Sequence, residues 1–539
     1  MDWFFIPLRD RVRNTAPACR ASLFAAFCAL LLASLLPLST SRGAGTPACH
    51  IKVTLYPAEN RIAGEGKITL PVGTGGPVST GGLNVTDVRI GGRRAGQKEG
   101  AGHVIEVRGG EVLEFRYDGL FPPGKEEEVI ENVGVTGSNI IDERGIMLIS
   151  GWYPSFSRPC LYRLEVTLPE GFEALSESNG VKVAEAPEKG FKTLIFDSPI
   201  PLDGITLVGG RHVLRKERYR GVSINTYFFP EEDHLSTLYR DSVKKYLDLY
   251  GEMLGRYPFG SFSVVENIFQ TGYSFPTYTL LGSRILPLPY IPETSLGHEF
   301  LHQWFGHLVE VDRDKGNWSE GLTTYLADHW YKELKGEGHV YRKKILIDYV
   351  NYVTPSREIP VSRFQGRVDF ATRAIGYGKT AMIFHMVRKT LGDDAFFSSL
   401  KTFIEENEAG RAGWDDLRDS FTEKGGRELG RLIDGWTEGT GMAHIEIAPP
   451  RIVREGELFH LELYIDQRNG PYLFSLPVTV ETERSKEDFL VKVDGKKVTF
   501  SGTFTSRPTR VSVDRDYDTF RRPTGAEIPP VISGFTGDR

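Results

Sequence analysis

Cysteine is scarce in this chain, four in 539 residues, and no two are spaced as in a cysteine zinc cluster. Cys19 and Cys28 fall in an N-terminal apolar segment, which leaves Cys49 and Cys160 for the body of the protein. Two readings stand for that pair: one disulfide in an oxidising compartment, or two free buried thiols. A surplus of positive charge is also missing. The formal net charge is -6 and no block of Lys or Arg stands out. A polyphosphate partner needs a basic field, so nucleic acid is excluded as a partner. Beyond the N-terminus there is no apolar run of spanning length and no internal repeat, which excludes a polytopic membrane protein and a solenoid.

What is present begins with the N-terminus. Arg9, Arg11, Arg13 and Arg20 precede an apolar run over residues 21–38, broken only by Ser22, Ser34 and Pro37. That is the layout of a secretory signal, and residues 1–44 are read as a signal peptide or a signal anchor. The run is short for a span and small residues follow it, which favours cleavage. Both outcomes make the body exported, whether periplasmic, cell-envelope or secreted, with membrane contact only through an uncleaved N-terminal anchor.

The remaining length is too great for one compact core and predicts several domains. At 40% hydrophobic and 25% charged residues, the composition is that of a folded globular protein. Residues 45–215 show short alternating segments between Gly, Pro and Asp turns, which predict an N-terminal β-domain. Residues 216–445 change to longer segments of helical period, over 323–334, 377–391 and 396–406, and read as a mainly helical domain. In residues 446–520 alternation returns through Phe459, Leu461, Leu463 and Ile465. There Asp494-Gly495 between two apolar runs predicts a hairpin in a small C-terminal β-sandwich. Residues 521–539, rich in Pro and Gly without periodicity, read as a tail. The fold class expected is multidomain α+β.

Chemistry is concentrated in the middle region. His298-Glu299-Phe300-Leu301-His302 puts two imidazoles four residues apart, on one face of a helix, where both can bind one metal ion. Thr294 or Ser295 is placed to cap that helix and Gly306 to end it. The bland alternative is a surface helix with two unrelated histidines. A catalytic zinc site takes three protein ligands and one open position. Glu320, in Asn317-Trp318-Ser319-Glu320-Gly321, is the candidate third ligand, although a glutamate there could be only a favourable charge at a helix N-terminus. His307, His329 and His385 lie near these motifs and are read as core or surface residues.

His-Glu-x-x-His, then Trp304-Phe305-Gly306, then Trp318-Ser319-Glu320-Gly321 together resemble the M1 family (gluzincin) of zinc metallopeptidases, the class of aminopeptidase N and leukotriene A4 hydrolase. The likeness extends upstream to Trp152-Tyr153-Pro154 and to the segment from Arg163 to Gly171. Downstream it reaches Trp436-Thr437-Glu438-Gly439-Thr440-Gly441, so most of residues 50–445 is covered. The helical C-terminal domain of the larger members has no counterpart. The resemblance implies an N-terminal β-saddle, a thermolysin-like catalytic domain and one Zn2+ per chain held by His298, His302 and Glu320. It implies hydrolysis of a peptide or protein substrate with Glu299 as general base, and a tyrosine that stabilises the oxyanion. Gly376-Tyr377-Gly378-Lys379-Thr380 matches the family's Tyr-x-Lys-Gly step except at Thr380, which assigns that role to Tyr377.

Two departures matter. The interval from His302 to Glu320 is one residue shorter than is usual, which a loop around residues 312–316 absorbs. The family's Gly-x-Met-Glu-Asn strand, whose glutamate binds the substrate amine, is here Thr271-Gly272-Tyr273-Ser274-Phe275-Pro276. Gly272, Tyr273 and Ser274 thus stand at the substrate-binding positions, and Ser274 lacks the charge that pairs an ammonium group. The expected function is therefore an exported zinc metallopeptidase, with aminopeptidase specificity open. The competing readings are a catalytically degenerate binding or scaffold module and a zinc hydrolase of non-peptide substrates.

Overall fold

The computed structural model describes residues 45–95, 104–122, 139–269 and 272–528. Residues 1–44, on which the expected signal peptide or anchor falls, and residues 529–539 lie outside the described residues. The N-terminal region is β-rich, as the alternation predicts. Its largest sheet has eight strands, with Ala48–Tyr56 between Leu161–Pro169, to which it runs parallel, and Arg61–Thr69, to which it runs antiparallel. Along Ala48–Tyr56, Cys49, Ile51, Val53 and Leu55 are buried. Their spacing of two places them on one face of the sheet. Across that face lie Leu113, Phe115, Leu164 and Val166, all buried in the same core. Cys49 and Cys160 are both buried and are free thiols.

The middle region is helical as expected, but it opens on a five-stranded sheet that periodicity did not disclose. The strand order is Val213–Tyr219, Val222–Phe228, Ser261–Asn267, Tyr278–Gly282, Gly272–Phe275. The three inner strands are parallel to one another. All seven residues of Ser261–Asn267 are buried, including Ser261, Ser263, Glu266 and Asn267, so this strand has no solvent-exposed face for an apolar-in, polar-out pattern to mark. Gly272–Phe275 pairs with Tyr278–Gly282 and is an edge strand among the described residues.

His212 sits at the seam between the N-terminal sheets and this one. Its ring stacks on Phe229 at 4.5 Å, and its Nε2 lies 2.9 Å from the Glu266 carbonyl. Burial holds its pKa down to about 4. The unfolded chain therefore takes up a proton below pH 6.5 that the folded chain refuses, so this site costs stability as pH falls from 6.5 to about 4, at ~1.4 kcal/mol per unit. Urea unfolding from pH 7 to 4 should show His212→Gln losing less stability than wild type across that window. Parallel profiles would show that the ring titrates normally.

The C-terminal region contains two sheets. One joins Ile445–Ile447, Leu458–Gln467, Arg451–Glu455 and Lys497–Phe504; the other joins Lys486–Val493, Phe474–Thr482 and Pro508–Val513. The expected hairpin at Asp494-Gly495 does not form. Its two arms pair with different sheets, Val491 with Leu476 and Val498 with Ile465. Neither Asp494 nor Gly495 has the positive φ that a tight two-residue hairpin turn needs, so the link is a crossover. At the start of the expected tail Arg521 is buried, with its Nε 2.7 Å from Asp514 and Nη2 2.8 Å from Glu527, while Arg522 and residues 524–526 are exposed.

Candidate metal and active site

The helix Ser295–Leu301 carries His298, and His302 caps its C-terminal end. Thr294 occupies the N-cap position, but its hydroxyl donates to the Tyr290 carbonyl at 2.8 Å and no side-chain cap forms. Packing holds this short helix instead. Leu296, Phe300 and Leu301 are buried. The Phe300 ring meets Tyr257 at 5.3 Å and Phe262 at 4.8 Å. One face of the helix is thereby fixed against aromatic side chains, and the other presents His298, Glu299 and His302. Gly306, at φ 114, turns the chain away, and a Cβ there would come within 3.2 Å of Ser319 Oγ. Only glycine adopts that backbone at low cost.

Glu320 lies on Ser319–Thr324, and its Oε2 is 3.5 Å from His298 Nε2 and 3.6 Å from His302 Nε2. Such separations are too long for good hydrogen bonds. They fit the ligands of a tetrahedral ion, which at ~2.0–2.2 Å from the metal stand ~3.3–3.6 Å apart. All three donor atoms lie within 4.8 Å of one another, and these residues are the His, Cys, Asp and Glu group able to hold a metal among the described residues. Each imidazole is oriented from behind. His298 Nδ1 is 2.9 Å from Asp328 Oδ2, and His302 Nδ1 is 2.9 Å from the Phe305 carbonyl. With Nδ1 donating, Nε2 keeps the lone pair for a metal. Burial pushes the Glu320 carboxyl up, yet His302 and His298 hold it well below the usual range. The donor set therefore fits a divalent, zinc-like ion.

Glu299, between the two histidines, stays out of that group. A Cβ built on Gly272 would lie 3.6 Å from Glu299 Oε1, so the carboxylate reaches the edge strand. Burial raises its pKa, opposed by His298 and His302. Tyr377 sits on a π-helical turn, Ala374–Lys379, with its ring 6.4 Å from that of His298 and nearly parallel to it. Its phenol is pushed up first by burial and then by Glu320, so it is a hydrogen-bond donor at neutral pH. Gly321 allows this proximity: a Cβ there would stand 2.0 Å from Thr380 Cγ2.

Gly272, Tyr273 and Ser274 lie on the edge strand beside the His-bearing helix. Ser274 Oγ donates to the Glu299 carbonyl at 2.8 Å and receives Gln303 Nε2 at 3.1 Å. His307 Nε2 also lies 3.1 Å from it. The hydroxyl is thus tied to the helix. Glu266, the nearest Glu-Asn pair in sequence, points elsewhere and accepts the Phe229 N–H at 2.7 Å. His329 and His385 belong to another buried cluster: His329 lies 3.2 Å from Glu333, and His385 lies 3.1 Å from Tyr325 OH and 2.9 Å from Asp518.

Asp328 was not foreseen. It sits on a π-helical turn, Tyr325–His329, directly after the Glu320 helix. An extra residue in the turn shifts the phase of the helix, so α-helical spacing from Glu320 does not point to it. The usable signal is chemical, since a metal-binding imidazole needs a carboxylate or carbonyl partner for its other nitrogen.

Fold and site together define a helical domain built on a mixed sheet, with His, His and Glu grouped as candidate metal donors and the Glu299 carboxylate beside them. Residues 293–436, the stretch that carries His298, His302 and Glu320, match the family model described as "Peptidase family M1 domain". Similar curated proteins include Aminopeptidase 2 of Candida albicans, 23% identical over 321 residues, covering 55% of this chain and 34% of that protein. Aminopeptidase A of Gloydius brevicauda is 23% identical over 336 residues, covering 55% and 33%. The chain thus spans about a third of the length of these relatives. Among solved structures, Legionella pneumophila aminopeptidase A in complex with aspartic acid superposes with a TM-score of 0.68 at 17% identity, covering 88% of this chain and 59% of that one.

Proposed function

We propose that this chain is an exported, zinc-dependent peptidase that hydrolyses peptide bonds with Glu299 as general base. The observation that carries the reading is the spacing of the three donor atoms, 3.5 and 3.6 Å from Glu320 to the two imidazoles, with an uncommitted carboxylate next to them. In this reading the N-terminal sheets form a β-saddle, the middle region is thermolysin-like and the two C-terminal sheets form a sandwich.

His298, His302 and Glu320 would hold the ion. When bound, zinc supplies a Lewis acid that polarises the scissile carbonyl and acidifies water. The chain's own residues do the rest. The strand Gly272–Phe275, at the edge of its sheet among the described residues, lies beside Glu299 and gives an extended peptide a surface to run along. Glu299 takes a proton from the attacking water and returns it to the leaving amine. Tyr377 donates a hydrogen bond to the oxygen that becomes negative. Changing Tyr377 to Phe should lower kcat by ~10²–10³-fold, the range for loss of one oxyanion donor, with metal content unchanged. An unaltered kcat would remove Tyr377 from the mechanism.

Ser274 argues against strict aminopeptidase action. It carries no charge for an α-ammonium group, and its hydroxyl is tied to the helix. The test is metal content of the purified chain, followed by hydrolysis of matched peptides with free and acetylated N-termini. Zinc near one per chain and cleavage of the acetylated series support the reading. Cleavage of the free series alone makes the enzyme an aminopeptidase that reads the amine elsewhere. Metal without cleavage of any peptide leaves a binding module.

A further inference from the structure

Without a carboxylate at Ser274, recognition by charge must come from elsewhere in the site. The segment 357–373 contains Arg357, Arg363, Arg367 and Arg373 against Glu358 and Asp369, a local positive excess in a chain of negative net charge. Arg367 lies between Phe364 and the short helix Phe370–Arg373, which runs directly into the turn carrying Tyr377. This connection is fixed to the site at several points. The Phe364 carbonyl accepts the N–H of Asn317 at 2.6 Å, three residues before Glu320. The Phe364 ring meets the Tyr377 ring edge-on, 6.1 Å away. Asp369 caps the helix by accepting the Thr372 N–H at 2.7 Å.

Arg367 itself takes no part in these bonds. Its Nε is buried with no hydrogen-bond partner, and no ion pair engages the guanidinium among the described residues. The residue as a whole is half-buried, so the unmet bond is that of one buried N–H, which costs free energy until a partner arrives. A planar guanidinium is satisfied best by a carboxylate, through two parallel hydrogen bonds. Beside it Val368 and Phe370 are exposed, and the Phe370 ring stacks on Tyr352 at 5.0 Å. This is an apolar border for a side chain next to the charge.

We propose that Arg367 is the substrate-carboxylate receptor of this site, binding either the C-terminal carboxylate of a short peptide or an acidic side chain near the scissile bond. The inference rests on the peptidase reading and gives it a charge preference opposite to that of an amine-reading site.

The test measures binding without turnover. Metal-loaded Glu299→Gln protein, with Arg367 intact or changed to Ala or Lys, is titrated calorimetrically with tripeptides ending in a free carboxylate or an amide. A second pair, both amidated, carries Asp or Asn beside the scissile bond. The expected result is binding of the acid member of one pair about tenfold or more tighter than its neutral partner. That preference should vanish in Arg367→Ala and be partly kept in Arg367→Lys. Which pair shows it identifies the source of the carboxylate. Equal acid-to-neutral ratios in all folded variants overturn the proposal, and Arg367→Lys keeps the test available if the alanine variant does not fold. Preference without hydrolysis by wild type would overturn the peptidase reading alone. Hydrolysis without preference would overturn only the role of Arg367.

Discussion

A Glu299→Gln chain should bind its metal as wild type does and lose turnover by ~10²–10⁴-fold, the usual contribution of a positioned acid or base. The substitution is nearly isosteric. It leaves the backbone carbonyl of residue 299 as acceptor for Ser274 Oγ, and it leaves the three donor atoms of the metal site untouched. What it removes is the proton acceptor. Burial already holds the Glu299 pKa above its ordinary value, which moves a carboxylate toward the basicity a general base needs near neutral pH. An amide in the same place can still hydrogen-bond a water but cannot take its proton. The measurement is kcat on a cleavable peptide, paired with metal content on the same preparation. Wild-type turnover in Glu299→Gln would rule out this residue as the base. Loss of both turnover and metal would make its role structural.

The parts of this site that were legible in the sequence share one property: their spacing is set by regular helix or by the ligand count of a metal. His298, Glu299 and His302 follow from one turn of helix, and Glu320 follows because two imidazoles leave a tetrahedral ion short of a ligand. Asp328 was hidden because a π-helical turn breaks the helical phase between it and Glu320. The five-stranded sheet was hidden because its central strand is buried on both faces. The Asp494-Gly495 link misled because the residue types of a hairpin turn were present while the flanking strands pair with different sheets. In each case a tertiary contact decided what local pattern could not. Arg367 is the same kind of residue: nothing in its neighbours distinguishes it until Phe364 is seen against Tyr377.

Removing Glu320 should cost the metal itself, and with it all peptide hydrolysis. In Glu320→Ala the two imidazoles remain positioned by Asp328 and the Phe305 carbonyl, but a third protein donor is gone and no other His, Cys, Asp or Glu completes the group among the described residues. A comparison with Asp328→Asn sets the scale. That variant keeps all three donors and loses only the carboxylate behind His298, a change of the kind that typically costs ~10–100-fold in metal affinity. Excess zinc should therefore restore Asp328→Asn to near wild-type hydrolysis and leave Glu320→Ala inactive. Thermal unfolding gives an independent readout, because a metal that binds only the folded chain raises its stability in proportion to ln(1 + [metal]/Kd). Wild type should melt higher with zinc than with chelator, Asp328→Asn should need more zinc for the same gain, and Glu320→Ala should show none. A zinc-dependent rise in Glu320→Ala equal to that of wild type would mean that the third ligand lies elsewhere, and the reading of the Trp318-Ser319-Glu320-Gly321 segment as part of the metal site would have to be given up.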